Sequence, residues 1–206
     1  EKDPAKCIAA DLVILAGSKS VRDDLHWLKQ KGWDDFINKH LRYGGRLLGI
    51  CGGYQMLGDF VHDPQGIEGE AGSSAGLGFL DMQTTLQAQK CLQKVTGFLV
   101  LDDAPITGYE IHAGITQGKA LSRPLMQLQG QAEGAISNDN QVMGSYLHGL
   151  FDSSKACDAL LNWAGYKKQQ AIDLDKRREQ GIELITDALE THCDFDMLHK
   201  QLNEFL

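Results

Sequence analysis

The sequence predicts an α/β fold: a mostly parallel sheet flanked by helices, a β-rich antiparallel second half, and a helical C-terminal tail. Three observations carry this. Residues 11–16 (Asp-Leu-Val-Ile-Leu-Ala) are an apolar run ending at Gly17, and residues 46–50 (Arg-Leu-Leu-Gly-Ile) are a second, ending at Cys51-Gly52-Gly53. Runs without polar alternation are the pattern of strands covered on both faces. Helix-period segments lie between and after them, so residues 1–60 alternate strand and helix, as an α/β sheet requires.

Taken in order, the strand at 11–16 leads through Gly17-Ser18-Lys19-Ser20 to a helix from about Val21. Ser20 with Asp23 resembles a capping arrangement there, and Leu25, Leu28 and Trp27 give the helix an apolar side. Gly32 divides it from a second helical piece carrying Trp33, Phe36, Ile37, His40 and Leu41, which Gly44-Gly45 stops. The strand at 46–50 follows, then the tight turn at Cys51 and a helix through Tyr54-Gln55-Met56-Leu57. Asp63-Pro64-Gln65-Gly66 reads as a turn, and the Gly/Ser/Ala-rich residues 70–76 as a mobile surface loop. Strands are predicted at 78–87, 94–101, 107–112, 125–128, 134–137 and 141–147, with Asn138-Asp139-Asn140 as a hairpin turn between the last two. A helix covers 153–163. Residues 171–206 are charged and helix-forming, split near Cys193-Asp194. The organisation expected is a domain at 1–165 with a helical extension, 166–206, packed on it. Because the chain starts at Glu1 and enters a strand almost at once, a longer parent polypeptide is expected.

Composition limits the function. With 206 residues and 42% apolar content, the chain can bury one sizeable core. A net charge of −8 argues against nucleic acid and anionic membrane surfaces. There is no signal peptide and no apolar run near the ~20 residues needed to cross a bilayer. Cys7, Cys51, Cys91, Cys157 and Cys193 are odd in number and dispersed, which fits a reducing compartment, so the reading is cytoplasmic. No CxxC pair or His/Cys cluster has zinc spacing, and no metal site is expected. Gly17-Ser18-Lys19-Ser20 lacks the glycines a phosphate loop requires, so nucleotide binding by this chain is not expected.

Cys51 is the candidate nucleophile. At a strand–turn–helix junction a side chain is pushed outward with the next backbone N–H groups nearby. Flanking glycines tolerate positive φ and let backbone approach closely, and a helix starting after Cys51 favours its thiolate. The plainer alternative is a small buried cysteine in a Gly-rich turn. For a base, His62, His112 and His148 sit near glycines or strand ends. His148 is best placed, because sites in open α/β sheets lie outside the carboxyl ends of strands; a purely structural histidine is the alternative.

Gly49-Ile50-Cys51-Gly52-Gly53-Tyr54-Gln55 resembles the nucleophile elbow of class I (triad) glutamine amidotransferases. Together with Leu15-Ala16-Gly17-Ser18-Lys19-Ser20, Gly108-Tyr109-Glu110-Ile111-His112-Ala113-Gly114 and Tyr146-Leu147-His148-Gly149-Leu150-Phe151, it resembles the C-terminal glutaminase domain of the cobyric acid synthase family over residues 11–165. The sister family that makes the a,c-diamide is a near relative, but Gly-Gly-Tyr-Gln and Tyr-Leu-His-Gly-Leu-Phe fit the cobyric acid enzymes better. The resemblance implies a flavodoxin-like core. It implies that Cys51 attacks the side-chain amide of L-glutamine and that the oxyanion rests on backbone N–H groups of Gly52 and of the Gly17-Ser18 turn. Such donors are worth roughly 3–4 kcal/mol each. His148 would move the proton, water would hydrolyse the thioester, and Gln55 and Gly53 would hold glutamine.

No cofactor of this domain is implied. ATP and Mg belong to the N-terminal synthetase domain of the same polypeptide, which activates four corrinoid carboxylates for amidation, so the corrinoid is an indirect partner. Three departures stand out. Leu150 occupies the place of the usual triad Glu, leaving Asp152 or Glu110 to orient His148, or a dyad. Ala16 replaces a usual Pro. A strand that relatives carry before residue 11 is missing from the pattern, which would leave the isolated domain weakly active. Glu110 and His112 share one strand face, to line the glutamine site, to meet the synthetase domain, or as structural residues. Lys19 either steers the glutamine carboxylate or is a solvated turn lysine. Rival readings are a non-catalytic docking module and a Cys hydrolase with another substrate.

Overall fold

The computed structural model describes residues 3–7, 10–166, 174–195, 197–198 and 200–201. In chain order the elements are β1 (Leu12–Leu15), α1 (Val21–Gln30), α2 (Trp33–Arg42), β2 (Arg46–Ile50), α3 (Gly52–Met56), β3 (Phe60–Asp63), β4 (Gly72–Ala75), β5 (Gln83–Leu99) and β6 (Pro105–Gln117). They continue with β7 (Met126–Leu128), β8 (Gln131–Glu133), β9 (Ala135–Ile136), β10 (Val142–Ser145), β11 (Leu147–His148), α4 (Ser154–Trp163) and α5 (Leu174–His192). Glu1–Gln169 and Gln170–Leu206 are two compact units. In the second, α5 ends where predicted: Cys193 and Asp194 are not helical, and Asp194 Oδ1 accepts the Met197 N–H at 2.9 Å to begin a further turn. The part of the predicted tail at 167–173 and 202–206 lies outside the described residues.

The first unit is built on a sheet of order β1-β2-β10-β9, in which β1, β2 and β10 are parallel and β9 is antiparallel. β2 is central, and its apolar run is explained by cover on both faces. Leu47 enters the cluster of Ile37, Tyr54, Leu57 and Val142, while Leu48 faces Met143, Leu147, Ala156 and Leu160. β1 was expected to be buried as well. It is instead the edge strand of this sheet among the described residues, and Ile14 is 43% exposed. α1 buries Val21, Leu25 and Leu28, but Trp27 stays exposed.

A second sheet of order β11-β6-β5-β3-β4, extended by β7 and β8, holds the β-rich half. Three expectations are corrected there. Residues 70–76, read as a mobile loop, contain β4, which pairs antiparallel with β3. Side chains explain the order: His62 Nδ1 bonds Ser73 Oγ at 2.8 Å, and Arg22 Nε donates to Ser74 Oγ at 3.1 Å. The strands predicted at 78–87 and 94–101 are largely one strand, β5, with a bulge between Leu86 and Cys91 that interrupts the apolar alternation. The strand predicted at 141–147 is two: β10 runs parallel in the first sheet, and β11 crosses to pair antiparallel with β6. Glu133 sets this crossing by accepting the Tyr146 N–H and the Ser145 hydroxyl, both at 2.7 Å. The turn at Asn138-Asp139-Asn140 forms as predicted, with Ser137 and Val142 bonded across it.

Candidate active site

The carboxyl ends of the three adjacent parallel strands meet at one place, as expected for an open α/β sheet. Gly17-Ser18 follows β1, Cys51 follows β2, and Tyr146 to His148 follow β10. Cys51 sits between β2 and α3 with φ 54° and ψ −112°. This is a sparsely populated region that costs of order 1–3 kcal/mol and persists only where surroundings enforce it. The surroundings do so here: the Cys51 N–H donates to the Ser145 carbonyl at 2.8 Å, and its own carbonyl accepts the Gln55 N–H at 3.1 Å.

The glycines act differently from the expectation that they supply positive φ. That conformation belongs to Cys51 itself; Gly52 and Gly53 are helical and serve close approach. A Cβ on Gly53 would lie 2.0 Å from the Leu15 carbonyl oxygen, one on Gly52 2.8 Å from the Ser18 nitrogen, and one on Gly49 2.7 Å from the Gly53 carbonyl oxygen. Their absence lets the elbow sink against β1 and the turn after it. The Ser18 and Gly52 backbones are thereby adjacent, as a two-donor oxyanion site needs.

A cavity of about 740 Å³ opens here, and Gly17, Ser18, Cys51, Gly52, Gln55 and His148 line it. Gly53, expected to hold glutamine, is buried beneath the elbow rather than on the wall. Gln55 Nε2 donates to Tyr146 Oη at 3.3 Å, and Tyr146 is further bonded to Thr116 at 2.5 Å. Gln55 Oε1 is buried without a protein partner among the described residues, so the residue presents an unused acceptor beside the cavity.

Cys51 and His148 share the cavity but are not hydrogen-bonded. The Cys51 thiol donates to the Ile111 carbonyl at 3.3 Å, and His148 Nε2 is buried with no partner among the described residues. Both residues flank Gly17. A methyl there would stand 3.6 Å from Cys51 Cβ and 3.7 Å from His148 Cε1. Ligand-free sites often hold such pairs loosely. Gly17→Ala therefore fits sterically but fills the space between sulfur and ring. We expect an unchanged thermal midpoint and a kcat/KM for glutamine lower by about 100-fold, since small misplacements at a reacting centre reach that size.

The acids fall elsewhere than the triad pattern suggests. Leu150 is buried in the core with Ala156 and Leu160, so the position two residues after His148 faces the core. The Glu110 oxygens engage His112 Nε2 at 3.0 Å and Gln93 Nε2 at 2.8 Å. The Asp152 N–H closes the turn onto Gly149, and Asp152 is not on the cavity wall. His62 is committed to Ser73 and Gln83 on β3 and β4's side of the second sheet. His112 reaches the cavity and stacks on Tyr146, ring centroids 3.9 Å apart. Lys19 also lines the cavity.

Glu68 was not foreseen from the sequence. Its Oε2 accepts the Val21 N–H at 2.8 Å and caps α1, a task the Ser20 hydroxyl leaves undone because it donates to Asp23. The fully buried Asp63 holds this loop by accepting the Ile67 and Glu68 N–H groups, bonds that with Arg22 keep its carboxyl below the usual range although burial opposes this. Glu68 lines the cavity with Cys51.

The expectation that a helix start depresses the Cys51 thiol is also corrected. Burial pushes its pKa up, Glu68 adds to the effect, and the Gly52 N–H opposes without prevailing; α3 has only five residues. A raised pKa means less thiolate at neutral pH. Alkylation of Cys51 by iodoacetamide, followed by peptide mass spectrometry, is therefore expected to keep rising above the ordinary thiol range. Glu68→Gln is expected to speed it at a given pH, and equal rates would refute the charge effect. Beneath the site, burial lifts Glu133 to about 7 despite hydrogen bonds from Tyr146, Ser145 and Gly134. Sequence periodicity has no signal for Glu133 or Glu68, since each acts on residues far along the chain.

A family model described as the CobB/CobQ-like glutamine amidotransferase domain matches residues 2–156. A solved structure described as a glutamine amidotransferase is 15% identical over 81% of this chain and 85% of its own, with a TM-score of 0.58. The structure of PurLQS from Thermotoga maritima is 16% identical over 74% and 79%, with a TM-score of 0.53. At these identities the two structures establish the fold, the flavodoxin-like mixed α/β type. The family match spans most of the chain and every element that builds the cavity, and the chain belongs to the CobB/CobQ-like glutamine amidotransferase domain family.

Proposed function

We propose that this glutamine-hydrolysing amidotransferase is the glutaminase domain of a cobyric acid synthase, supplying ammonia for amidation of four corrinoid side-chain carboxylates. The observation that carries the glutaminase chemistry is the convergence of Cys51, His148 and the Ser18 and Gly52 backbones on one cavity. The thiol loses its proton to His148 as sulfur bonds to the glutamine amide carbon. The carbonyl oxygen, now anionic, lies against the Gly52 and Ser18 N–H groups. Collapse expels ammonia, which takes the proton from His148, and water then hydrolyses the thioester to glutamate. Gln55 orients the substrate, and Lys19 and Glu68 supply opposite charges suited to its α-carboxylate and α-ammonium groups. ATP and Mg²⁺ act in a synthetase domain, where the corrinoid carboxylate is activated. The Gly-Gly-Tyr-Gln and Tyr-Leu-His-Gly-Leu-Phe segments favour the cobyric acid enzyme over the a,c-diamide enzyme.

Labelling with a glutamine-directed chloroketone, then glutamate release, tests the first half. An unmodified Cys51 would defeat it. Joining the chain to a cobyric acid synthetase domain, with adenosylcobyrinic a,c-diamide, ATP and glutamine, tests the second; glutamine-dependent amidation that appears only when the chain is joined instead to an a,c-diamide synthetase domain acting on cobyrinic acid would assign the sister enzyme. The missing bond between Cys51 and His148 favours a second reading, a non-catalytic docking module. It requires that Cys51→Ser leave glutamine-dependent and ammonia-dependent amidation equally unaffected.

A further inference from the structure

We propose that Cys91, Glu110 and His112 form a binding site for a thiophilic divalent cation of the zinc class, sharing His112 with the wall of the glutamine cavity. One donor atom from each lies within 4.8 Å of the others. The antiparallel register makes this arrangement: Cys91 on β5 stands directly opposite His112 on β6, and Glu110 is two residues away on the same face.

The surroundings fix the donors as a metal site needs. His112 Nδ1 faces the Gly114 carbonyl at 2.9 Å, an acceptor, so Nδ1 carries a hydrogen and Nε2 is the nitrogen left to ligate once the proton it shares with Glu110 is displaced. The ring is held flat on Tyr146. One Glu110 oxygen is held by the Gln93 amide, while the other faces His112 Nε2 at 3.0 Å, where a cation would replace a shared proton. Thiolate, imidazole and carboxylate suit zinc, and three protein ligands leave a fourth position for water. On binding, the Cys91 thiol proton and the proton shared by His112 and Glu110 both pass to solvent, and the thiolate and carboxylate neutralise the divalent charge.

The site adjoins the cavity through His112 and couples to the nucleophile through the neighbouring Ile111. Ile111, between Glu110 and His112, accepts the Cys51 thiol proton on its carbonyl. Cation binding pins this segment and slows glutamine hydrolysis. That coupling rests on Cys51 as nucleophile; the binding does not.

The test uses the Cys51→Ser chain, so that the nucleophile cannot bind metal. One Co²⁺ per chain is expected, with a thiolate-to-cobalt absorption band that Zn²⁺ displaces. Cys51→Ser with Cys91→Ser is expected to lose the band and bind at least about 100-fold more weakly, and Gln93→Ala to weaken binding by about tenfold. Zn²⁺ should raise the thermal midpoint of the first protein and not of the double variant. A band that survives in the double variant, or no stoichiometric Co²⁺ in Cys51→Ser, overturns the site. With Cys51 intact, Cys91→Ser should keep basal glutamate release and resist Zn²⁺; equal inhibition overturns the coupling. Binding without any glutamine hydrolysis would instead count against the glutaminase reading.

Discussion

Glutamate release from glutamine should fall by about 10⁴- to 10⁶-fold in Cys51→Ser, the size of effect seen when an acyl-transfer nucleophile or its partner is removed. Serine is nearly isosteric and can occupy the same φ of 54°, so the elbow and its bond to Ser145 should survive. The thermal midpoint should stay close to that of the parent chain. A hydroxyl cannot substitute for the sulfur because its proton is held far more tightly and His148 is not hydrogen-bonded to position 51 in the resting site. Joined to a synthetase domain as in the proposed function, the variant should keep ammonia-dependent amidation and lose glutamine-dependent amidation. Retained glutamate release would remove Cys51 from the chemistry.

Gly53→Ala should be the most damaging small substitution for the fold. Its Cβ would stand 2.0 Å from the Leu15 carbonyl oxygen and 2.5 Å from the carbonyl carbon, both backbone atoms of β1. Backbone cannot rotate away as a side chain can, so α3 and β1 must separate. Overpacking of this kind costs about 1–3 kcal/mol and sometimes more, and this case belongs at the upper end because Leu15 is paired to Gly49 of the same motif. Chemical denaturation should show a lower midpoint, and glutamate release should fall with it because Ser18 and Gly52 move apart. The comparison is Gly17→Ala, which meets only ordinary contacts and should lose activity without losing stability. If Gly53→Ala is as stable as the parent, the close-packing account of the motif fails.

Much of the fold was legible where one short stretch contains its own explanation. β2 could be read because a central strand needs apolar side chains on both faces, and α1 and α2 because their apolar residues recur at helical spacing, with Gly32 at φ 76° between them. The hairpin turn at 138–140 and the helix break at Cys193-Asp194 were legible for the same local reason. β4 was not, since Gly72-Ser73-Ser74-Ala75 has little strand character and is ordered by β3 and Arg22. The division of β10 from β11 was hidden because the apolar pattern runs through it, and only Glu133 shows where the chain changes sheets. Within the site, Cys51, Gln55, His148 and the Gly17-Ser18 turn were found by motif and do line one cavity. The metal-like cluster was invisible to ligand spacing, because Cys91 and His112 become neighbours through strand register rather than sequence separation.

Alone, then, the order of residues determined an α/β core with a cysteine at a sharp strand-to-helix bend and a histidine after a later strand. Those features depend on side-chain periodicity and on the backbone preferences of glycine, both of which act over a few residues. The tertiary structure decided how the sulfur behaves. It half-buries the thiol so that its pKa rises, sets Glu68 beside it from a loop fastened by Asp63, and turns its hydrogen bond to Ile111 instead of His148. Desolvation and through-space charge depend on what the folded chain packs around an atom, and no local pattern of residues encodes that.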